Sequence, residues 1–102
     1  MKISFSPPDM TELEVNGASE AIRSGWITTG PKTKEFERQI VEYCHVNKAV
    51  CLNSQTACAE MALRLLGIGA ENGGSSFDEV IVPAYTYTAS ASVVCHVGAK
   101  LV

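Results

Sequence analysis

Apolar positions recur along this chain in two styles: helical spacings of three and four residues, and short unbroken runs bounded by polar residues. Val15, Ala18 and Ile22 form a narrow stripe that predicts a helix. Thr11 is its capping residue, Glu14 is placed to complete a capping box, and Gly25 ends it. Residues 1–10 read as an extended arm, because Pro7-Pro8 cannot join a helix interior. The segment TKEFERQIVEYC returns to helical period, with Phe36, Ile40 and Cys44 along one side. KAVCLN is a short apolar run that suits a buried strand. From Thr56 to Leu66 the helical period resumes: Ala57, Met61 and Leu65 share a stripe that Ala62 and Leu66 widen, and Glu60 and Arg64 form an i,i+4 pair. GAENGGSSF reads as a flexible surface loop. DEVIVPA is a second buried strand ended by Pro83, TASASVVCHVG a small-residue helix stopping at Gly98, and AKLV opens a third strand.

From residue 33 onward the predicted order is helix, strand, helix, strand, helix, strand. Such alternation implies parallel strands joined by helical crossovers, an α/β fold. Three short parallel strands make a poor finished sheet, since parallel sheets are covered on both faces and an open edge invites pairing. The expectation is a chain that forms part of a larger domain and associates with other chains. It divides into residues 1–32, an arm, helix and loop, and residues 33–102, the first part of an incomplete α/β domain.

Composition narrows the function classes. An apolar fraction of 46% with 19% charged residues suits a folded globular chain rather than a disordered one. The net charge of -3, with no Lys/Arg cluster, offers nothing to neutralise nucleic-acid phosphates. No apolar stretch approaches the roughly 18 residues of a membrane span, and the N-terminus lacks a signal-peptide core. Cys44, Cys51, Cys58 and Cys95 show no CxxC spacing and are expected to be reduced and, within apolar runs, buried, as in a cytoplasmic protein. His45 and His96 each follow a cysteine, at a spacing that fits no common zinc pattern.

The candidate chemistry lies where apolar runs break. Asn53-Ser54-Gln55-Thr56 stands between a predicted strand and a predicted helix. The first N–H groups of a helix lack intrahelical partners and its dipole adds positive potential, so such a turn can seat an anion. Ser54 and Thr56 add hydroxyls, Gln55 an amide, and the small Ala57, Cys58 and Ala59 admit a ligand to the backbone. A plain helix cap by Ser54 or Thr56 fits the same residues. Neither GxGxxG nor GxxxxGK[ST] is present, which disfavours a nucleotide-binding domain. After the next strand, VPAYTYTASAS carries Tyr85 and Tyr87, two apart and so on one side of an extended chain. Beside an anion seat they suggest a flat phosphorylated ring stacked on a tyrosine. The competing reading makes them core or rim residues, and it is the one adopted for Tyr85.

SGWITTGPKTKEFE, NSQTACAEMALRLLGIG and DEVIVPAYTYTASASVVCHVGAKLV occur in that order. Together they resemble the opening of the DegT/DnrJ/StrS family of pyridoxal-phosphate-dependent sugar aminotransferases, over essentially the whole chain. The resemblance implies the N-terminal part of a fold type I aminotransferase large domain, working as a homodimer with active sites at the subunit interface. Such enzymes move an amino group, usually from glutamate, onto a nucleotide-linked keto sugar in amino-sugar and surface-polysaccharide biosynthesis. On this pattern Ser54, Gln55 and Thr56 belong to the cup for the phosphate of pyridoxal 5'-phosphate, and Tyr87 falls where the family stacks a ring on the cofactor's pyridine. GWITTGP resembles a loop at the substrate end of the pocket, making Trp26, Thr28, Thr29 and Gly30 substrate-site candidates. Trp26 is equally readable as an interface anchor.

The family's chemistry also needs a lysine that carries the cofactor as a Schiff base and a carboxylate that keeps the pyridine nitrogen protonated. The lysines here are Lys2, Lys32, Lys34, Lys48 and Lys100, and none matches the family's position. The isolated chain is therefore expected to be inactive, with no catalytic residue assigned. AENGGSSF departs from the family, which usually passes from LGIG to DEVIVP with a residue or two between. The alternative from a different class is a non-catalytic module that binds a phosphate ligand or self-assembles.

Overall fold

The structure, a computed structural model, describes residues 6–102. It comprises two compact units, one ending at Val50 and one spanning Cys51–Val102. The expected arm lies partly outside the described residues, and Ser6–Met10 carry no helix or strand.

The first unit is built from two helices. Helix α1 spans Glu12–Arg23 and opens on the expected capping box. The Leu13 N–H donates to the Thr11 hydroxyl at 3.2 Å, and the Thr11 N–H donates to the Glu14 carboxylate at 2.6 Å. The Thr11 hydroxyl also donates to Glu14 Oε2 at 2.6 Å, and this bond, followed by the Thr11 N–H, holds the Glu14 carboxyl below its ordinary range. Helix α2 spans Pro31–Cys44, beginning two residues before the periodic segment because Pro31 occupies the first helical position, where a missing N–H costs nothing. It ends at His45 in the left-handed region, φ 53°. Lys32 of α2 pairs with Glu20 of α1 at 2.7 Å. Along α2, Arg38 is bracketed by Glu35 and Glu42 at helical spacing. The Arg38 and Gln39 hydrogen bonds push the Glu35 carboxyl down to about 2.

The second unit holds the sheet. Helix α3 spans Gln55–Leu65, strand β1 Glu79–Val80, helix α4 Thr88–His96 and strand β2 Lys100–Leu101. The strands pair in parallel with Glu79 opposite Lys100 and Val80 opposite Leu101. Lys100 N–H donates to the Asp78 carbonyl at 2.7 Å, Val102 N–H to Val80 at 3.0 Å, and Val82 N–H to Val102 at 2.9 Å. With α4 as the crossover this is one β-α-β unit, the expected α/β architecture in its smallest form. The core sits on the last turn of α4 and just beyond: Val94 is 1% exposed, and Val93 and Val97 are also buried.

Four expectations change. KAVCLN forms no strand; residues 48–52 carry no ladder pairing, because a strand exists only beside a neighbour and the ladder among the described residues joins β1 and β2 alone. The covered side of α3 is turned away from most of the expected stripe. Met61, Ala62, Leu65 and Leu66 are exposed, whereas Ala57 of that stripe is half-buried together with Thr56, Ala59, Glu60, Leu63 and Arg64, and α3 packs on α4. That face combines small residues with a charge pair whose polar atoms are satisfied. No disulfide joins the four cysteines, but Cys44, Cys58 and Cys95 are exposed and Cys51 is half-buried, since a run of small and apolar residues on a helix includes its uncovered sides. Finally, GAENGGSSF is not a loose loop. It holds a 3-10 turn over Ala70–Asn72. The Asp78 carboxylate accepts from the Gly69 and Ser75 N–H groups at 2.9 and 2.8 Å, and the Asn72 amide donates to the Ile68 carbonyl at 2.8 Å. Short polar side chains here supply partners the loop backbone would otherwise lack.

Candidate functional site

Ser54 stands in extended conformation (φ -161°, ψ 158°) as the N-cap of α3. Its hydroxyl oxygen accepts from the Ala57 N–H at 3.1 Å, and its carbonyl accepts from Cys58 N–H at 3.1 Å. The cap reading is thus realised in full. It leaves the N–H groups of Gln55 and Thr56, the first two helical positions, without an intrahelical acceptor. The Ser54 hydroxyl accepts at the cap, so its own proton remains to be donated elsewhere. Cap and anion seat are compatible: the cap satisfies the third N–H and orients the first two. The turn is open to solvent, with Ser54 and Gln55 exposed and Thr56 half-buried.

Tyr87 is the N-cap residue of α4, extended at φ -64° and ψ 144°, with no side-chain cap bond. Its ring is 79% exposed, and Tyr85 is 97% exposed. Of the core-or-rim reading for Tyr85 the core half is therefore overturned, because Pro83 and Ala84 carry the chain out of the ladder before it. The same holds for the core reading of Tyr87. Both rings lie in the second unit with the Ser54 turn, and Tyr87 makes no hydrogen bond to it. Between them Thr86 and Ser90 share a hydroxyl–hydroxyl bond of 3.0 Å that braces the start of α4.

The GWITTGP loop belongs to the first unit. Its indole folds back on its own loop: Trp26 Nε1 donates to the Thr29 carbonyl at 2.9 Å. A Cβ at Gly30 would fall 1.8 Å from that Nε1, so only glycine fits beneath the ring. Trp26, Thr28 and Gly30 line a cavity of about 430 Å³ with Ser24, Ile27 and Lys32. The loop thus closes one end of a recess between the end of α1 and the start of α2.

A constellation that sequence reasoning caught only in part links α3 to α4. Arg64 donates from Nε and Nη2 to Glu60 Oε1 at 3.1 and 2.8 Å, as the i,i+4 spacing predicts. The other carboxylate oxygen, Oε2, pairs with His96 Nδ1 at 2.9 Å, and Arg64 Nη1 donates to Asn72 Oδ1 at 3.2 Å. Arg64 and then His96 hold the Glu60 carboxyl below its ordinary range. The pairing of His96 with a residue 36 positions earlier left no periodic signal. Among the described residues no group of three or more His, Cys, Asp or Glu side chains is placed to hold a metal ion, and no helix is long and apolar enough to cross a membrane.

Strands β1 and β2, the crossover α4 and the helix α3 packed on it define an α/β protein, in which the α3 start carries two N–H groups without intrahelical acceptors and the exposed Tyr87 opens α4. A model of the DegT/DnrJ/EryC1/StrS aminotransferase family matches residues 8–102, and the chain belongs to that family. It is 38% identical over 93 residues to a UDP-4-amino-4-deoxy-L-arabinose–oxoglutarate aminotransferase of Shewanella sediminis, covering 91% of this chain and 22% of that protein. Among solved structures it resembles the PLP form of a Streptococcus pneumoniae sugar aminotransferase with a TM-score of 0.80 and 56% identity, over 100% of this chain and 24% of that one. The PMP form of the same protein matches equally. An aminotransferase from Psychrobacter cryohalolentis matches with a TM-score of 0.76 and 33% identity, over 97% of this chain and 24% of that one. The chain thus spans about a quarter of the length of these relatives, and its fold is that of the N-terminal part of the PLP-dependent aminotransferase α/β domain, with the sheet incomplete.

Proposed function

We propose that this chain supplies the phosphate end and the ring-facing aromatic of a pyridoxal 5'-phosphate seat, in a sugar aminotransferase acting on a nucleotide-linked keto sugar with glutamate as amino donor. Residues 33–102 form the first part of the cofactor domain, and residues 1–32 its arm and substrate-side loop. The observation that carries the reading is the start of α3, where the Ser54 cap on Ala57 leaves the N–H groups of Gln55 and Thr56 available. Bound there, pyridoxal phosphate supplies an electron sink for proton removal from carbon. Gln55 and Thr56 hold phosphate oxygens through backbone N–H groups, with the Ser54 and Thr56 hydroxyls as further donors. Tyr87 offers its face to the flat ring and excludes water from one side. In the first unit, Trp26, Thr28, Thr29 and Gly30 are the proposed substrate contacts. None of the chain's five lysines is assigned the Schiff-base role, so the chain alone binds without catalysing.

Titration calorimetry with pyridoxal phosphate and with inorganic phosphate tests this. Gln55→Pro removes one N–H at the first helical position, where proline is accepted, after a residue already extended. We expect about a fivefold loss of affinity for both ligands with helix content unchanged. Equal binding by the variant and the native chain sinks the reading, as does borohydride reduction that fixes the cofactor on one specific lysine.

A self-assembling module is supported by a different observation, the exposure of Val50, Ile81 and Leu101, which leaves apolar strand-like surface uncovered. In the aminotransferase reading the same surface serves association between chains, including the homodimer. Light scattering at rising concentration should show species larger than the monomer.

A further inference from the structure

We propose that the Glu60–His96 contact is a positioning device: it fixes α4 against α3 and thereby sets where Tyr87 stands relative to the Ser54-Gln55-Thr56 turn. The inference rests on the reading of that turn as a phosphate seat. The two helices carry the two parts of the seat at their starts, and nothing at those starts bonds one to the other. The half-buried face of α3 is mostly small and polar, Thr56, Ala57, Ala59, Glu60 and Arg64, with Leu63 its one large apolar residue. The buried side chains of α4 are the smooth Val93 and Val94. Apolar packing of this kind is non-directional and sets sliding and rotation weakly. Directional bonds do so at the other end. Glu60 Oε2 meets His96 Nδ1 at 2.9 Å, and Arg64, which engages the other carboxylate oxygen, also reaches the His96 carbonyl at 3.4 Å.

The cluster is locked from behind. Arg64 Nη1 is engaged by Asn72 of the loop after α3, and Asn72 is itself bonded to the Ile68 carbonyl. Arg64 is therefore not free to swing, and the Glu60 carboxylate presents one oxygen in a fixed direction. His96 is the last residue of α4 and Tyr87 its cap, so they lie roughly 13 Å apart along the axis. A small rotation at His96 is carried to the ring by a rigid helix. On this account the loop after α3 acts on the seat from a distance, through Asn72, Arg64 and Glu60.

The test compares two probes on the full chain. Inorganic phosphate reads only the α3 turn, whereas pyridoxal phosphate reads the turn and Tyr87 together. His96→Ala should weaken pyridoxal phosphate about fivefold while leaving phosphate affinity unchanged. His96→Asn, whose amide nitrogen stands near the place of Nδ1, should restore native affinity. In a double-mutant cycle the effects of His96→Ala and Tyr87→Ala should be non-additive, because the first acts through the second. Equal losses for both probes, additive effects, or no rescue by His96→Asn would each overturn the positioning role while leaving the phosphate seat standing. If the native chain binds neither probe, the seat itself fails and the inference falls with it. A His96→Ala chain too unstable to titrate is replaced by Glu60→Ala, for which the same split between probes is expected and its absence is equally decisive.

Discussion

The indole N–H of Trp26 donates to the carbonyl of Thr29 at 2.9 Å, folding the ring over the glycine that opens the next helix. Gly30 is buried beneath it although it stands in a loop. Its extended backbone is open to any residue; what excludes a side chain is the ring. Gly30→Ala should therefore expel the indole and break its hydrogen bond. Trp26 is the only tryptophan of the chain, so its fluorescence reports directly. We expect a red-shifted emission and faster acrylamide quenching, with helix content retained. An unchanged spectrum would remove the packing argument for this loop.

Ser54 permits a separation of capping from ligand binding. Ser54→Ala removes the bond to the Ala57 N–H and should cost about 1 kcal/mol in urea unfolding. Ser54→Asp keeps a capping oxygen and adds a charge that suits a helix start, so its stability should equal or exceed the native value. That same charge repels an anion, and phosphate affinity should drop by about tenfold or more. Parallel changes in stability and affinity across the two variants would argue that the turn is a cap and nothing else.

Asp78 should make stability pH-dependent at the acid end. Its carboxylate accepts from the N–H groups of Ser75 and Gly69, and these bonds hold its folded value below the ordinary one. The unfolded chain therefore binds more protons between the two values. Stability from this group is complete above the unfolded value of about 3.9 and is lost as pH falls through the folded one. Glu60, lowered by Arg64 and then His96, acts in the same direction. The urea midpoint of Asp78→Asn should lie below that of the native chain by a constant amount above about pH 5, and the gap should close toward about pH 2. A gap independent of pH would mean the carboxylate's charge plays no part.

Gly69 tests the packing of the loop that follows α3. It stands at φ 90°, and a Cβ there would lie 1.8 Å from the Val97 carbonyl oxygen, a backbone atom that cannot step aside. Gly69→Ala should destabilise the second unit on the order of 3 kcal/mol, from left-handed strain and displacement of the end of α4. Hydrogen exchange at Val94–Gly98 should rise with it. A substitution tolerated within about 0.5 kcal/mol would show the loop to be loosely seated.

Local chemistry along the chain was enough to determine the capping box at Thr11 and Glu14, the Glu60–Arg64 pair, the glycine stop after α4 and the β-α-β order. Each depends on residues a few positions apart, whose geometry a helix or turn dictates by itself. The polar turn at Ser54 and the tyrosines after β1 were legible for the same reason, as breaks in apolar runs at the ends of elements. Tertiary structure alone decided which side of α3 is covered, since Met61 and Leu65 satisfy helical period as well as Ala59 and Leu63 do. It likewise withheld a strand from KAVCLN, because pairing is a property of two segments and one cannot announce its partner. Asp78 bonding back to Gly69, and His96 meeting Glu60, join positions 9 and 36 residues apart. No periodicity encodes such contacts; they form because folding brings an acceptor within about 3 Å of a donor that the chain's local order had left unpaired.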